Sequence, residues 1–311
     1  MLDRYDPRST EDRYRGESGA RSRGSRGGTS DRDRNNDLDA RDVFTKDLDL
    51  PRGRQRDLVR ESARVYELNG AESRMLATVG AFRVVSESDL RDARIESRSI
   101  YGSLRHLESE GLIRTSVLSS EDRVVTLTDR GRNLLETNRY DREDRTHEPR
   151  QTFYAGMRKP RELSHDTNVY RAYQRAENRL REQGARVDRV VLDYELKRDY
   201  QRFLQEHNRG RKDSDGRPDR EPEEIALWAR QHHLPYYDEH VHFPDARIEY
   251  EDRDGRSRHE DIEVMTGHYR GAHAGAAVRS GFTRYRSFGV VVGGRSGGRT
   301  PHLRIAEELL R

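Results

Sequence analysis

Residues 97–128 read SRSIYGSLRHLESEGLIRTSVLSSEDRVVTLT, and the change of period inside this stretch decides the fold. In its first part Ile100, Leu104 and Leu107 recur at helical spacing, and Gly111 falls where a helix C-cap belongs. From Leu112 the period shortens. LIRTSVL (112–118) and RVVTLT (123–128) are dense in β-branched residues and read as strands, joined by the polar turn Ser119-Ser120-Glu121-Asp122. TDRGRNLLETN (128–138) then reads as a short helix.

Toward the N-terminus, residues 55–69 (QRDLVRESARVYELN) and 71–82 (AESRMLATVGAF) read as two short helices separated by Gly70. In VVSESDLRDA (84–93), Ser86 or Ser88 can cap a third. Helices, a helix with a polar face, a two-stranded wing and another helix make the order of a winged helix-turn-helix, with 97–110 as recognition helix. Arg98, Ser99, Tyr101, Ser103 and Arg105 fall on its polar side, and Arg114 and Arg123 on the wing strands. Arginine forks read guanine edges in the major groove, and Ser or Tyr hold phosphates. The ending Leu127-Thr128-Asp129-Arg130-Gly131-Arg132 resembles the LT-x-x-G closing of bacterial MarR-like and PadR-like winged helices.

Composition bounds the rest. The 311 residues are 38% charged and only 31% hydrophobic, so no stretch approaches the roughly 18 apolar residues of a membrane span. No apolar region follows MLDRYDPRST, so no secretory signal is expected, and the expected location is the cytoplasm. Zero cysteines exclude disulfides, thiolate zinc sites and a cysteine nucleophile. Lysine occurs only at Lys46, Lys159, Lys197 and Lys212, so arginine supplies 60 − 4 = 56 basic residues. That bias suits phosphate binding, and a GC-rich genome would also produce it. Residues 1–47 read as a disordered Arg/Asp/Gly/Ser-rich tail with almost nothing to bury. The winged helix is expected over 48–140, a linker or packed loop over 141–160, and a second domain over 161–311.

In that second domain a helix over 164–184 precedes the strand-like VDRVVLDYELK (187–197). A helical YQRFLQEHN and the helix PEEIALWARQHH come next. The strands DARIEYED and HEDIEVMT flank the turn Arg253-Asp254-Gly255-Arg256. A helix GAAVRSGFTRYRSF and a strand GVVVGG complete an α-β-(α)-β-β-α-β order. This order resembles the restriction-endonuclease-like core, whose signature is Pro-Asp followed one strand later by Glu-x-Lys. Here the counterparts are Pro244-Asp245 and Glu263. The overall class is α/β, or α+β with the winged helix included.

Leu163-Ser164-His165-Asp166, Phe243-Pro244-Asp245-Ala246, Ile262-Glu263-Val264 and Thr283-Arg284-Tyr285 carry a resemblance over residues 55–290. The chain resembles the bacterial replication-relaxation family, a winged helix joined to a degenerate nuclease-like domain. The resemblance implies binding of double-stranded DNA in replication, relaxation or mobilisation of a plasmid or integrative element. A relaxase or replication protein is the implied partner, and a homodimer is left open. If active, the site would hold Mg²⁺ or Mn²⁺ on Asp245 and Glu263 and cleave a DNA strand.

One position departs from that pattern. Strand alternation puts residue 265 on the face of Glu263, and it is Met265 where lysine should stand. Either the site is inactive or the basic role has moved, to Lys197 within Glu195-Leu196-Lys197 or to Arg279. Arg279 and Arg284 belong to a basic C-terminal segment: residues 265–311 hold eight Arg and two Glu, and so contribute to DNA binding. Two rival readings remain: a transition metal on His240, His242 and Asp245, and a transcriptional regulator whose second domain senses a ligand or dimerises.

Overall fold

The computed structural model describes residues 39–90, 97–118, 122–140, 149–156, 163–211, 220–265 and 279–286. The class is mixed α and β: helices and several separate sheets share the chain. Helix α1 (Asp42–Thr45) and the bridge from Leu48 to Arg139 anchor the start. Phe44 and Leu48 are buried, so 39–47, expected within the tail, belong to the folded body.

Residues 55–69 correct the sequence reading. They form a β-hairpin, β1 (Asp57–Glu61) and β2 (Arg64–Leu68), and not a helix. Val59, Tyr66 and Leu68 turn inward while Leu58, Arg60, Val65 and Glu67 stay exposed, a period of two. Ser62 takes the left-handed turn conformation at φ 50°. Helix α2 (Gly70–Phe82) starts with a capping box in which Asn69 and Glu72 bond each other's backbone amides. Strand β3 (Val84–Ser86) holds Ser86, expected as a helix cap, inside a sheet; residues 91–96 lie outside the described residues.

Helix α3 (Ser97–Ser109), β4 (Ile113–Val117), β5 (Arg123–Leu127) and α4 (Asp129–Thr137) follow the expected order. The sheet order is β3-β5-β4, all antiparallel. Thr128 caps α4 through Gly131 N–H. A Cβ at Gly131 would stand 2.2 Å from the Leu112 carbonyl oxygen, so the helix can dock there only on glycine.

Part of the expected linker is packed. Gln151 donates to the Val190 carbonyl and accepts from its amide, Phe153 is buried, and Tyr154 and Gly156 N–H bond Gly80 and Leu127. This strap ties the halves together.

The second half is built on helix α5 (Leu163–Glu182) and a mixed sheet. Strand β6 (Arg186–Leu192) stops at Leu192, and α6 (Asp193–Gln205) begins directly, so the expected strand 187–197 is strand only for its first part. Helix α7 (Pro222–Gln231) and the two-residue strands β7 (Tyr236–Tyr237) and β8 (His240–Val241) lead to β9 (Ala246–Glu251) and β10 (Ser257–Met265). Strand β11 (Thr283–Arg286) occupies residues expected to be helical and pairs in parallel with β10. The order is β11-β10-β9-β6, with β9 antiparallel to both neighbours. Parallel pairing needs a long crossover, which pushes β11 well beyond β10. The expected strand GVVVGG lies outside the described residues.

Alternation divides the sheet. Val190, Leu192, Ala246, Ile248, Ile262 and Val264 join α5 in the main core, while Val191 packs with Leu196, Trp228 and Leu234 on the opposite face. The main core also contains Phe44, Phe82 and the α2 side chains, so the described residues form one compact unit around a shared interior.

Candidate functional site

Helix α3 buries Ser103, Leu104 and Leu107 and exposes Gly102, Arg105 and Ser109. Ser103, expected on the polar face, therefore packs inward. The side chains of Arg98, Ser99 and Tyr101 lie outside the described residues. Arg105, and Arg114 on β4, are exposed and have no carboxylate partner among the described residues. Arg123 on β5 lies 3.9 Å from Glu87. Two bonds seat the helix: Glu108 accepts from Thr115 N–H at 3.0 Å, and His106 Nε2 donates to the Glu67 carbonyl at 2.9 Å.

The acidic pair is built at one end of β9 and β10. Asp245 N–H bonds the Ile262 carbonyl, and its Oδ2 accepts Val264 N–H at 2.7 Å, so Asp245 grips the residues on either side of Glu263. Asp245 Oδ1 takes His165 Nε2 of α5 at 3.0 Å. Glu263 is buried, and the basic residue registered beside it is Arg284 of β11.

Of the other expected members, Lys197 lines the same cleft as Asp245, and the rest are engaged apart from it. Helix α6 carries Lys197 one turn from Asp193, which it bonds at 2.7 Å on the surface. Glu195 faces away from Lys197 and is buried, holding Arg189 at 3.2 Å and accepting from Tyr154 Oη at 3.3 Å. A strand would have put Glu195 and Lys197 on one face; the helix separates them by about 200°. Arg279 bonds Asp238 at 2.8 Å and covers the Tyr237 ring. His242 stacks on that ring with centroids 3.6 Å apart, while Asp245 is engaged with α5 and β10, so the His240–His242–Asp245 set does not assemble.

The partner of Asp245 that sequence reasoning missed is His165. Its only signal was the tetrapeptide Leu163-Ser164-His165-Asp166 at a helix start, and nothing local tells which carboxylate it meets 80 positions later. Burial opposes its charge, but the hydrogen bond and charge of Asp245, with Asp166 and Asp193 nearby, push its pKa up to about 9. His165 is therefore an imidazolium at neutral pH. It lines a cleft of about 390 Å³ with Phe82, Arg83, Asp166, Asp193, Lys197 and Asp245. Three cationic side chains there face three carboxylates.

Mg²⁺ or Mn²⁺ on Asp245 and Glu263 would have to displace the partners that Asp245 holds. Asp245 already accepts an imidazolium and a backbone amide. Among the described residues no three His, Asp or Glu side chains gather as metal ligands.

A pH effect follows from His165. Its folded pKa is raised, so its contribution to stability is full below the unfolded value near 6.5 and is lost as pH rises through about 9. Urea midpoints should fall across that window, and His165→Gln should flatten the decline; an equally steep decline in the variant refutes the assignment.

Comparison with models of known families, with curated proteins and with solved structures finds no match to this chain.

Proposed function

We propose that this chain is a double-stranded DNA-binding protein serving the replication, relaxation or mobilisation of a plasmid or integrative element. In this reading residues 48–140 act as a winged helix with α3 as reader, and the mixed-sheet half is a restriction-endonuclease-like domain that holds DNA without cutting it. The observation that carries it is Arg105, exposed on the outer face of α3 with no carboxylate partner among the described residues, as is Arg114 on β4. A guanidinium left free on an exposed helix face is available for guanine edges or phosphates. The neighbouring positions of Asp245 and Glu263 at the ends of β9 and β10 favour the nuclease-like ancestry. Met265, the His165–Asp245 pair and the Lys197–Asp193 ion pair favour the loss of cleavage.

Arg105→Ala should weaken duplex binding by about 1–3 kcal/mol, the value of one base-reading fork. Fluorescence anisotropy at fixed salt measures it, and equal affinity of variant and parent removes α3 as the reader. Supercoiled plasmid incubated with Mg²⁺ or Mn²⁺ should remain intact against an EDTA control. Metal-dependent nicking abolished by Asp245→Ala would restore the nuclease reading.

A further inference from the structure

We infer that the β1–β2 hairpin is a second DNA-contacting arm, which grips the phosphate backbone on the side of α3 opposite the β4–β5 hairpin. The inference rests on the proposed role of α3 as the groove reader and extends it to an element that nothing in that role requires.

The geometry comes from two hydrogen bonds on opposite flanks of one helix. At 3.6 residues per turn, Glu108 falls about 60° to one side of Arg105, and His106 about 100° to the other. Glu108 is bonded to Thr115 of β4, and His106 to the carbonyl of Glu67 on β2. The exposed strip with Gly102, Arg105 and Ser109 therefore runs between two β-ribbons. The major groove is roughly 12 Å wide and a helix with its side chains roughly 10–12 Å across, so a helix lying in the groove fills it. Whatever packs on its two flanks then meets the two sugar–phosphate walls.

The chemistry of the hairpin suits such a wall. Arg52 and Arg54 lead into it, Arg60 lies on the outward face of β1, and Arg64, registered opposite Glu61, lies at the turn end of β2 on the other face. All four are exposed and lack a carboxylate partner among the described residues. Arg56, by contrast, is spent internally on the buried Glu72 at 2.7 Å. In the mixed-sheet half Arg179, Arg186, Arg189 and Arg247 are likewise spent on ion pairs, while Arg256 and Arg284 are exposed without a carboxylate partner among the described residues. The hairpin is also held firmly enough to present its charges, since Val59, Tyr66 and Leu68 are buried and Asn138 donates to the Arg60 carbonyl. Leu58 and Val65 are exposed on the same outward face as Arg60 and Glu67. Four side chains are far fewer than the roughly 20–30 residues a side of a stable protein interface, whereas a ribbon this narrow suits a backbone wall, with the two apolar side chains against deoxyribose.

The test uses the full chain and a fluorescein-labelled mixed-sequence DNA duplex, with affinity measured over a salt series. Each arginine that neutralises a phosphate contributes about 0.9 to the slope of log K against log salt. The double variant Arg60→Ala, Arg64→Ala should bind several-fold more weakly and lower that slope by about 1.8, two contacts' worth. The double variant Arg60→Lys, Arg64→Lys keeps the charges and should keep the slope. An unchanged slope in the alanine variant, with Arg105→Ala still weakening binding, overturns the arm and leaves the reader helix standing. A parent that binds no duplex at any salt overturns both. Sedimentation supplies the last arm: if the parent is a dimer that Leu58→Ser dissociates, and the slope ignores Arg60 and Arg64, the face joins two copies and the inference fails.

Discussion

Phe82→Ala should cost about 3–5 kcal/mol and still leave a single unfolding transition for the described body. Phe82 ends α2 in the first half, yet its ring lies 4.9 Å from both Tyr170 and Tyr173 of α5 in the second, with Phe44 edge-on at 5.5 Å. It is 2% exposed, so truncation opens a cavity whose walls come from both halves. Trp228, the chain's one tryptophan, sits in the separate cluster on the far face of the sheet and reports on the second half alone. In urea, its fluorescence and far-UV dichroism should move together to lower midpoints. If tryptophan emission keeps its parental midpoint while the helical signal shifts, the halves are energetically independent and the shared core is not a joint.

The second large effect is expected at Arg247, where Arg247→Ala should destabilise by about 3–5 kcal/mol. Arg247 and Asp261 face each other across β9 and β10, their side chains 8% and 10% exposed, with two hydrogen bonds of 2.7 and 2.9 Å. The same guanidinium donates to the carbonyls of His232 and His233, which close the C-terminal end of α7. Alanine would strand a buried carboxylate and two carbonyls at once. The double variant Arg247→Met, Asp261→Leu removes charge and partner together and should recover most of the loss. Chemical denaturation of the three proteins decides it: a double variant as unstable as the single one would show that packing, not the stranded charge, sets the cost.

Why some of this was legible in the sequence, and some was not, is a matter of range. Helix α3, strands β4 and β5 and helix α4 were readable because Leu104, Leu107 and Gly111 are spaced over two turns and Val124 to Leu127 lie within one strand. The β1–β2 hairpin was not, because Arg, Glu and Ala favour helix locally. The extended form is the one that buries Val59 and Tyr66 in the main core, with β1 packed against α4. Glu195 and Lys197 failed for a related reason. VDRVVL and DYELK read on continuously, but the Asp193 amide bonds the Asp245 carbonyl, a contact made across the sheet, and the chain turns helical there. Asp245 and Glu263 were found as a pair because their own strands are consecutive. His165 was missed because its partner is supplied by tertiary packing alone.

The strap over residues 149–156 has a bearing on how this chain could change over time. Gln151 takes the place of a strand beside Val190, and Tyr154 and Gly156 bond elements of the first half, so the strap packs on both halves with Gln151 and Phe153 buried. Modular proteins exchange parts by recombination within exposed connections, where each part brings a complete surface. Here a crossover near residue 150 would deliver a first half with Phe44 and Phe82 bare and a second half with Tyr170, Tyr173 and the Val190 backbone bare. A new specificity would then have to arise by substitution on the outer face of α3 and its flanking ribbons, with the body behind them inherited whole.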